Sequence, residues 1–218
     1  MKELIEFIKT GSYSRESVTI KGLFKLYLLH IAWCIPLSIP FIVLKFVDAL
    51  PTHAFQNIED PLKFMFGAVF IAPIVEELIF RWPLVPTRLN ISIALSFFLT
   101  YGIKYTLGSA YGYELYLQSI PICILIYLVA PFICIAKQLP FKCLMHFLVI
   151  AFGFLHISNF TEVYWWMYLI FPVLTVPQIV LGYVCSFARM KYGVVYSIIL
   201  HAFNNLVVCI PLLIKYLH

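Results

Sequence analysis

The chain has 218 residues, 63% of them hydrophobic and 11% charged, with a formal net charge of +5 and a mean hydropathy of +0.96. A soluble domain carries about 25% charged and about 45–50% apolar residues, so this composition excludes a water-soluble globule, a disordered tail and a nucleic-acid module together. The excess of 15 basic over 10 acidic residues bears instead on how the chain is oriented in a bilayer.

Residues 1–22 place Leu4, Ile5, Phe7 and Ile8 among charges, a pattern that suits a short interfacial helix or, equally, a mobile tail. No short apolar core with a small-residue cleavage site follows, so the first apolar run is expected to be kept as a span. A bilayer core needs about 20 mainly apolar residues per helix. Seven stretches approach that length: Leu23 to Val47, Leu62 to Arg81, Ile91 to Leu107, Leu115 to Ala136, Phe141 to Ile157, Tyr164 to Phe187 and Gly193 to Tyr216. The expected fold is all-α, a polytopic transmembrane helical bundle of about seven spans, with residues 23–218 forming one membrane domain.

Prolines inside these runs are tolerated as kinks supported by neighbouring helices. The six cysteines show no CxxC pair and read as buried thiols. With the N-terminus cytoplasmic, one face collects Lys2, Lys9, Arg15, Lys21, Arg88, Lys137, Lys142, Arg189 and Lys191, and the other only Lys63, Lys104 and Lys215. That bias favours the N-terminus inside. Tyr111, Tyr113 and Tyr116 in GSAYGYELY suit an aromatic anchor at the membrane interface.

Charges within spans are the anomaly, because each costs about 2.5–3.5 kcal/mol at a helix centre. The second span reads FGAVFIAPIVEELIFRWPLV. Glu77 and Arg81, four apart, share a helix face and can pair. Glu76 points about 100° away and needs a partner on another helix, a proton, or water in a cavity. In the seventh span His201 and Asn205 lie four apart with Asn204 beside them, and in the fifth His156 follows Phe152. His30 and His146 lack such neighbours and read as packing or interface residues. Three helices thus offer groups suited to proton transfer or oxyanion binding. A structural ion-pair network is the competing reading of the carboxylates.

The order EExxxR (Glu76, Glu77, Arg81), FxxxH (Phe152 to His156) and HxxxN (His201 to Asn205) resembles the CAAX prenyl endopeptidase type II and bacteriocin-processing family, also called CPBP or Abi. Gly182, Arg189 and Gly193 ahead of the last motif are similar to bacterial members, and the resemblance runs from about Ile71 to Asn205. It implies an intramembrane protease of a bacterial cytoplasmic membrane that hydrolyses a membrane-associated protein or peptide. Carried over, Glu76 would be the general base, His156 would bind or polarise the water, and His201 with Asn205 would stabilise the oxyanion. Glu77, Arg81 and Phe152 would support the site. No cofactor is expected; some descriptions of the family speak of metalloproteases, and Glu76, His156 and His201 would be the ligands if zinc were bound.

Counting about 1.5 Å per residue from helix edges near Trp82, Lys142 and Gly193 puts Glu76 about 9 Å deep, His201 about 12 Å and His156 about 21 Å. This mismatch calls for a later start, a tilt or a dip of the fifth helix. A bacteriocin immunity or scaffold protein without chemistry is the alternative function, and a proton-coupled transporter a third.

Overall fold

Proline governs where helices of this chain stop, because it lacks the amide that would bond four residues back. The computed structural model describes residues 2–53, 58, 60–107, 114–129 and 138–217, with the side chains of 101–119, 129, 215 and 217 outside that description. The α-helices in chain order are α1 (Lys2–Thr10), α2 (Ile20–Leu37), α3 (Ile39–Phe46), α4 (Pro61–Phe66), α5 (Ala72–Phe80) and α6 (Arg88–Leu107). They continue with α7 (Glu114–Val129), α8 (Phe141–Leu155), α9 (Phe171–Leu174), α10 (Val176–Lys191) and α11 (Val194–Leu217). A π-helical turn, Gly67–Ile71, joins α4 to α5. Among the described residues the only strand-like contact is the isolated bridge between His53 and Phe160. The class is all-α, as expected.

Three helical stretches are long and apolar enough to cross a bilayer: Ile20–Leu37, Phe141–Asn159 and Val194–Ile214. The protein is an integral membrane protein, but these three, and not seven, meet both criteria among the described residues. The expected first span breaks at Ser38, between Pro36 and Pro40, into α2 and α3. The expected sixth span, Tyr164 to Phe187, is not one helix. Pro172 opens α9 and Pro177 opens α10, and Thr175 between them donates its hydroxyl to the Phe171 carbonyl at 2.9 Å. The aromatic anchor assigned to Tyr111, Tyr113 and Tyr116 lies outside the described side chains, as do Lys104, Cys134, Lys137 and Lys215.

α6 and α7 form an antiparallel hairpin, since Arg88 at the start of α6 donates to the Leu128 carbonyl near the end of α7 at 2.9 Å. α10 is the central element. Val180, Leu181, Val184, Cys185, Phe187 and Ala188 are all buried on it, and it packs on α2, α8 and α11. Its approach to α8 depends on Gly182, where a Cβ would stand 3.0 Å from Val149 Cγ1 and 3.3 Å from Arg81 Nη2. Gly193, at φ +114°, makes the tight turn into α11 that a side chain would strain.

The N-terminal segment is an ordered, docked helix. Leu4 and Phe7 are fully buried, with the Phe7 ring 5.9 Å from Phe141 and 5.3 Å from Phe187. Glu3 and Glu16 clasp Lys191 at 2.6 and 3.1 Å. The hydrogen bond and charge of Lys191 hold the Glu3 carboxyl below its ordinary range. A depressed carboxylate stabilises above its unfolded pKa, about 4.3, and loses that contribution as pH falls through the folded value. Protection of residues 2–10 against hydrogen exchange, taken relative to the intrinsic rate at each pH, is therefore expected to fall in acid below that range, and a flat protection profile would show that the clasp contributes nothing to docking.

Candidate active site

Two helix irregularities each release a carbonyl, and each released carbonyl anchors a side chain of the site. In the π turn the Ala72 amide bonds Gly67, five residues back. The Ala68 carbonyl thereby loses its α-helical donor, and the next residue able to reach it, Pro73, has no amide. Asn205 of α11 takes that place, donating from Nδ2 to Ala68 O at 2.8 Å. At the end of α8 the His156 amide turns to the Gly153 carbonyl. The Phe152 carbonyl is freed and accepts the His156 Nδ1–H at 2.7 Å, which leaves Nε2 available.

Between these anchors lie the carboxylates. Glu77 is fully buried and every contact it makes is an answered one. Arg81 Nη1 is 3.4 Å from Oε1, His201 donates Nδ1–H to Oε1 at 2.9 Å, and the Ser197 hydroxyl donates to Oε2. The Arg81 guanidinium lies 4.0 Å over the Phe152 ring, a cation–π contact worth most where water is absent. Glu76 differs. Its side chain is 26% exposed, and Oε2 faces His201 Nε2 at 3.4 Å without the geometry of a hydrogen bond. Geometry thus separates the two carboxylates as the helix period predicted: Glu77 is neutralised locally and Glu76 has an acceptor oxygen to spare.

His156 belongs to the same cluster, with its ring 4.5 Å from the Phe152 ring, which in turn is 5.8 Å from His201. Glu76, His201 and Arg81 all act on it electrostatically. Of the explanations expected for the depth of His156, a later start of the fifth helix is not seen, since α8 begins at Phe141. Past the end of α5 a 3₁₀ turn, Trp82–Leu84, continues with Pro83 and Leu84 buried. Leu84 shares a core cluster with Leu4 and Phe7. Leu84, Val85, Phe141 and Tyr13 line one cavity of about 500 Å³ at the α1 end of the bundle.

Sequence reasoning missed Ser197. The signal was present, since Ser197, His201 and Asn205 recur every four residues and so share a face of α11. It also missed Cys185, whose sulfur lies within 4.8 Å of donor atoms of Glu77 and His201. That trio does not suit a metal ion: a proton lies between Glu77 and His201, and the Glu77 charge is already met by Arg81. The set expected if zinc were bound, Glu76, His156 and His201, is not drawn together as closely as that trio, although each imidazole has Nδ1–H held by an acceptor and Nε2 unclaimed by a hydrogen bond, the usual support for a ligating histidine.

The protein is thus an all-helical membrane protein with carboxylates, imidazoles and an amide gathered inside its bundle. The model of the type II CAAX prenyl endopeptidase Rce1-like family matches residues 58–207, and the chain belongs to that family. No curated protein and no solved structure matches the chain.

Proposed function

We propose that the protein is an intramembrane endopeptidase in which Glu76 activates water for attack on a peptide bond of a membrane-associated protein or peptide. The observation that carries this reading is the contrast between Glu77, buried and fully engaged, and Glu76, partly accessible with Oε2 unbonded 3.4 Å from an imidazole. In the proposed reaction a water held near Glu76 and His156 gives its proton to Glu76 while its oxygen bonds to the carbonyl carbon. The electron pair of the carbonyl moves to oxygen, which accepts hydrogen bonds from Asn205 Nδ2 and His201 Nε2. Donation from Nε2 while Glu77 holds Nδ1–H requires both ring nitrogens protonated, with a carboxylate at each. Collapse of the tetrahedral intermediate breaks the C–N bond, and the proton on Glu76 passes to the leaving amine. Preorganised donors of this kind contribute about 2.7–4 kcal/mol each to the transition state.

No step needs a metal. If a divalent cation occupies the site, Glu76, His156 and His201 are the side chains that would hold it, and it would supply a bound water of lowered pKa. The family match supports a membrane-delivered substrate, and the Lys and Arg bias supports an N-terminus on the cytoplasmic side. The test compares membrane-protein termini by mass spectrometry in cells carrying the native chain or Glu76→Ala at matched levels. New termini that vanish in the variant and persist with a chelator are expected; identical termini in both strains would sink the proteolytic reading.

A further inference from the structure

α2 contributes no residue to the three motifs, yet it carries a buried histidine aimed at the site. His30 Nε2 is 3.0 Å from Asn204 Oδ1, Asn204 Nδ2 is 3.3 Å from Asn205 Oδ1, and Cys34 Sγ is 3.5 Å from His30 Nδ1. The direction of every link follows from the far end. The Ala68 carbonyl only accepts, so Asn205 must present Nδ2 to it and turn Oδ1 to Asn204. Asn204 must then donate its Nδ2 to that oxygen and turn its own Oδ1 to α2. His30 must meet Oδ1 with Nε2–H, which leaves Nδ1 to accept the Cys34 thiol proton. One carbonyl released by Pro73 thus sets two amide orientations and one tautomer across three elements.

We propose that His30 is a positioning residue for Asn205, acting through Asn204; the proposal rests on the proteolytic reading above. The amide of Asn205 has two opposite faces. With Nδ2 toward the reaction it donates to a developing oxyanion, and with Oδ1 there it would repel one. A free asparagine on a helix exchanges these orientations by rotation about its last torsion, whereas the chain from His30 makes the wrong orientation cost a hydrogen bond at each link. His30 therefore biases the site toward the productive state without touching substrate.

His30→Phe keeps the aromatic volume and removes the donor. It is expected to lower kcat about tenfold, the effect of releasing one oriented donor, with KM unchanged. His30→Gln, whose side-chain amide can donate to Asn204, is expected to restore most of the rate. In an Asn205→Ala background His30→Phe should have no further effect on kcat. Asn204→Asp, nearly isosteric, loses the donor to Asn205 and should reproduce the His30→Phe loss where that variant folds poorly. An independent readout is ¹⁵N NMR of the histidine rings in detergent, with the His30 signal assigned by its loss in His30→Gln. The Nε2–H tautomer is expected. Full kcat in His30→Phe, an undiminished effect in the Asn205→Ala background, or an Nδ1–H tautomer would each overturn the assignment. If instead neither the wild type nor any variant hydrolyses a membrane peptide, the proteolytic reading fails first, and the NMR result still decides whether the chain runs as described.

Discussion

Replacing Glu76 with Gln is expected to lower kcat for a membrane-embedded peptide substrate by about 10³-fold, within the 10²–10⁴ range of a positioned general base. The unfolding temperature in detergent should stay at the wild-type value. Both halves follow from the same geometry. Glu76 Oε2 makes no hydrogen bond to the protein and the side chain is partly exposed, so an isosteric amide disturbs little packing. The proposed base, however, is gone, because an amide oxygen does not take a proton at neutral pH. A variant that loses activity and stability together would point instead to a structural carboxylate, the reading that fits Glu77.

Arg81→Ala is expected to act in the opposite way, costing about 3–5 kcal/mol of stability, the cost of leaving one member of a buried pair without its partner. Arg81 is 1% exposed and faces a carboxylate that is fully buried, so its removal strands the Glu77 charge away from water. It also removes the group that covers the Phe152 ring at 4.0 Å. Arg81→Lys should recover only part of the loss, because an ammonium cannot stack flat on the ring while meeting Glu77. Denaturation midpoints in one detergent, for the wild type and both variants, check this. A midpoint unchanged in Arg81→Ala would mean that His201 and Ser197 satisfy Glu77 unaided.

Much of the candidate site is legible in the sequence, and for a definite reason. Helix periodicity separates Glu76 from Glu77 by 100° and aligns Glu77 with Arg81, so local geometry alone distinguishes the two carboxylates. The lipid environment adds the rest, since polar groups inside apolar runs must converge on one another. What was not legible depends on long-range packing. Ser197 is an ordinary helix residue until α5 brings Glu77 to it. His30 looked like a packing residue because its partner, Asn204, lies 174 positions away. The docking of α1 needed Lys191, at the far end of the chain, to meet Glu3. The span from Tyr164 to Phe187 failed because hydropathy averages over residues, whereas Pro172 and Pro177 act one at a time on the amide ladder.

The central position of α10 bears on how the chain reaches its membrane state. At 16 residues, with Gln178, Arg189 and Lys191 in its length, α10 is not among the helices long and apolar enough to cross a bilayer on their own. The neighbours that bury it are α2 and α8, made earlier, and α11, made after it. During synthesis α10 therefore waits for a helix that has not yet left the ribosome. Its seating, and with it the meeting of Glu77 with Ser197 and His201, follows the synthesis of α11, so the candidate site cannot assemble before that helix has been inserted.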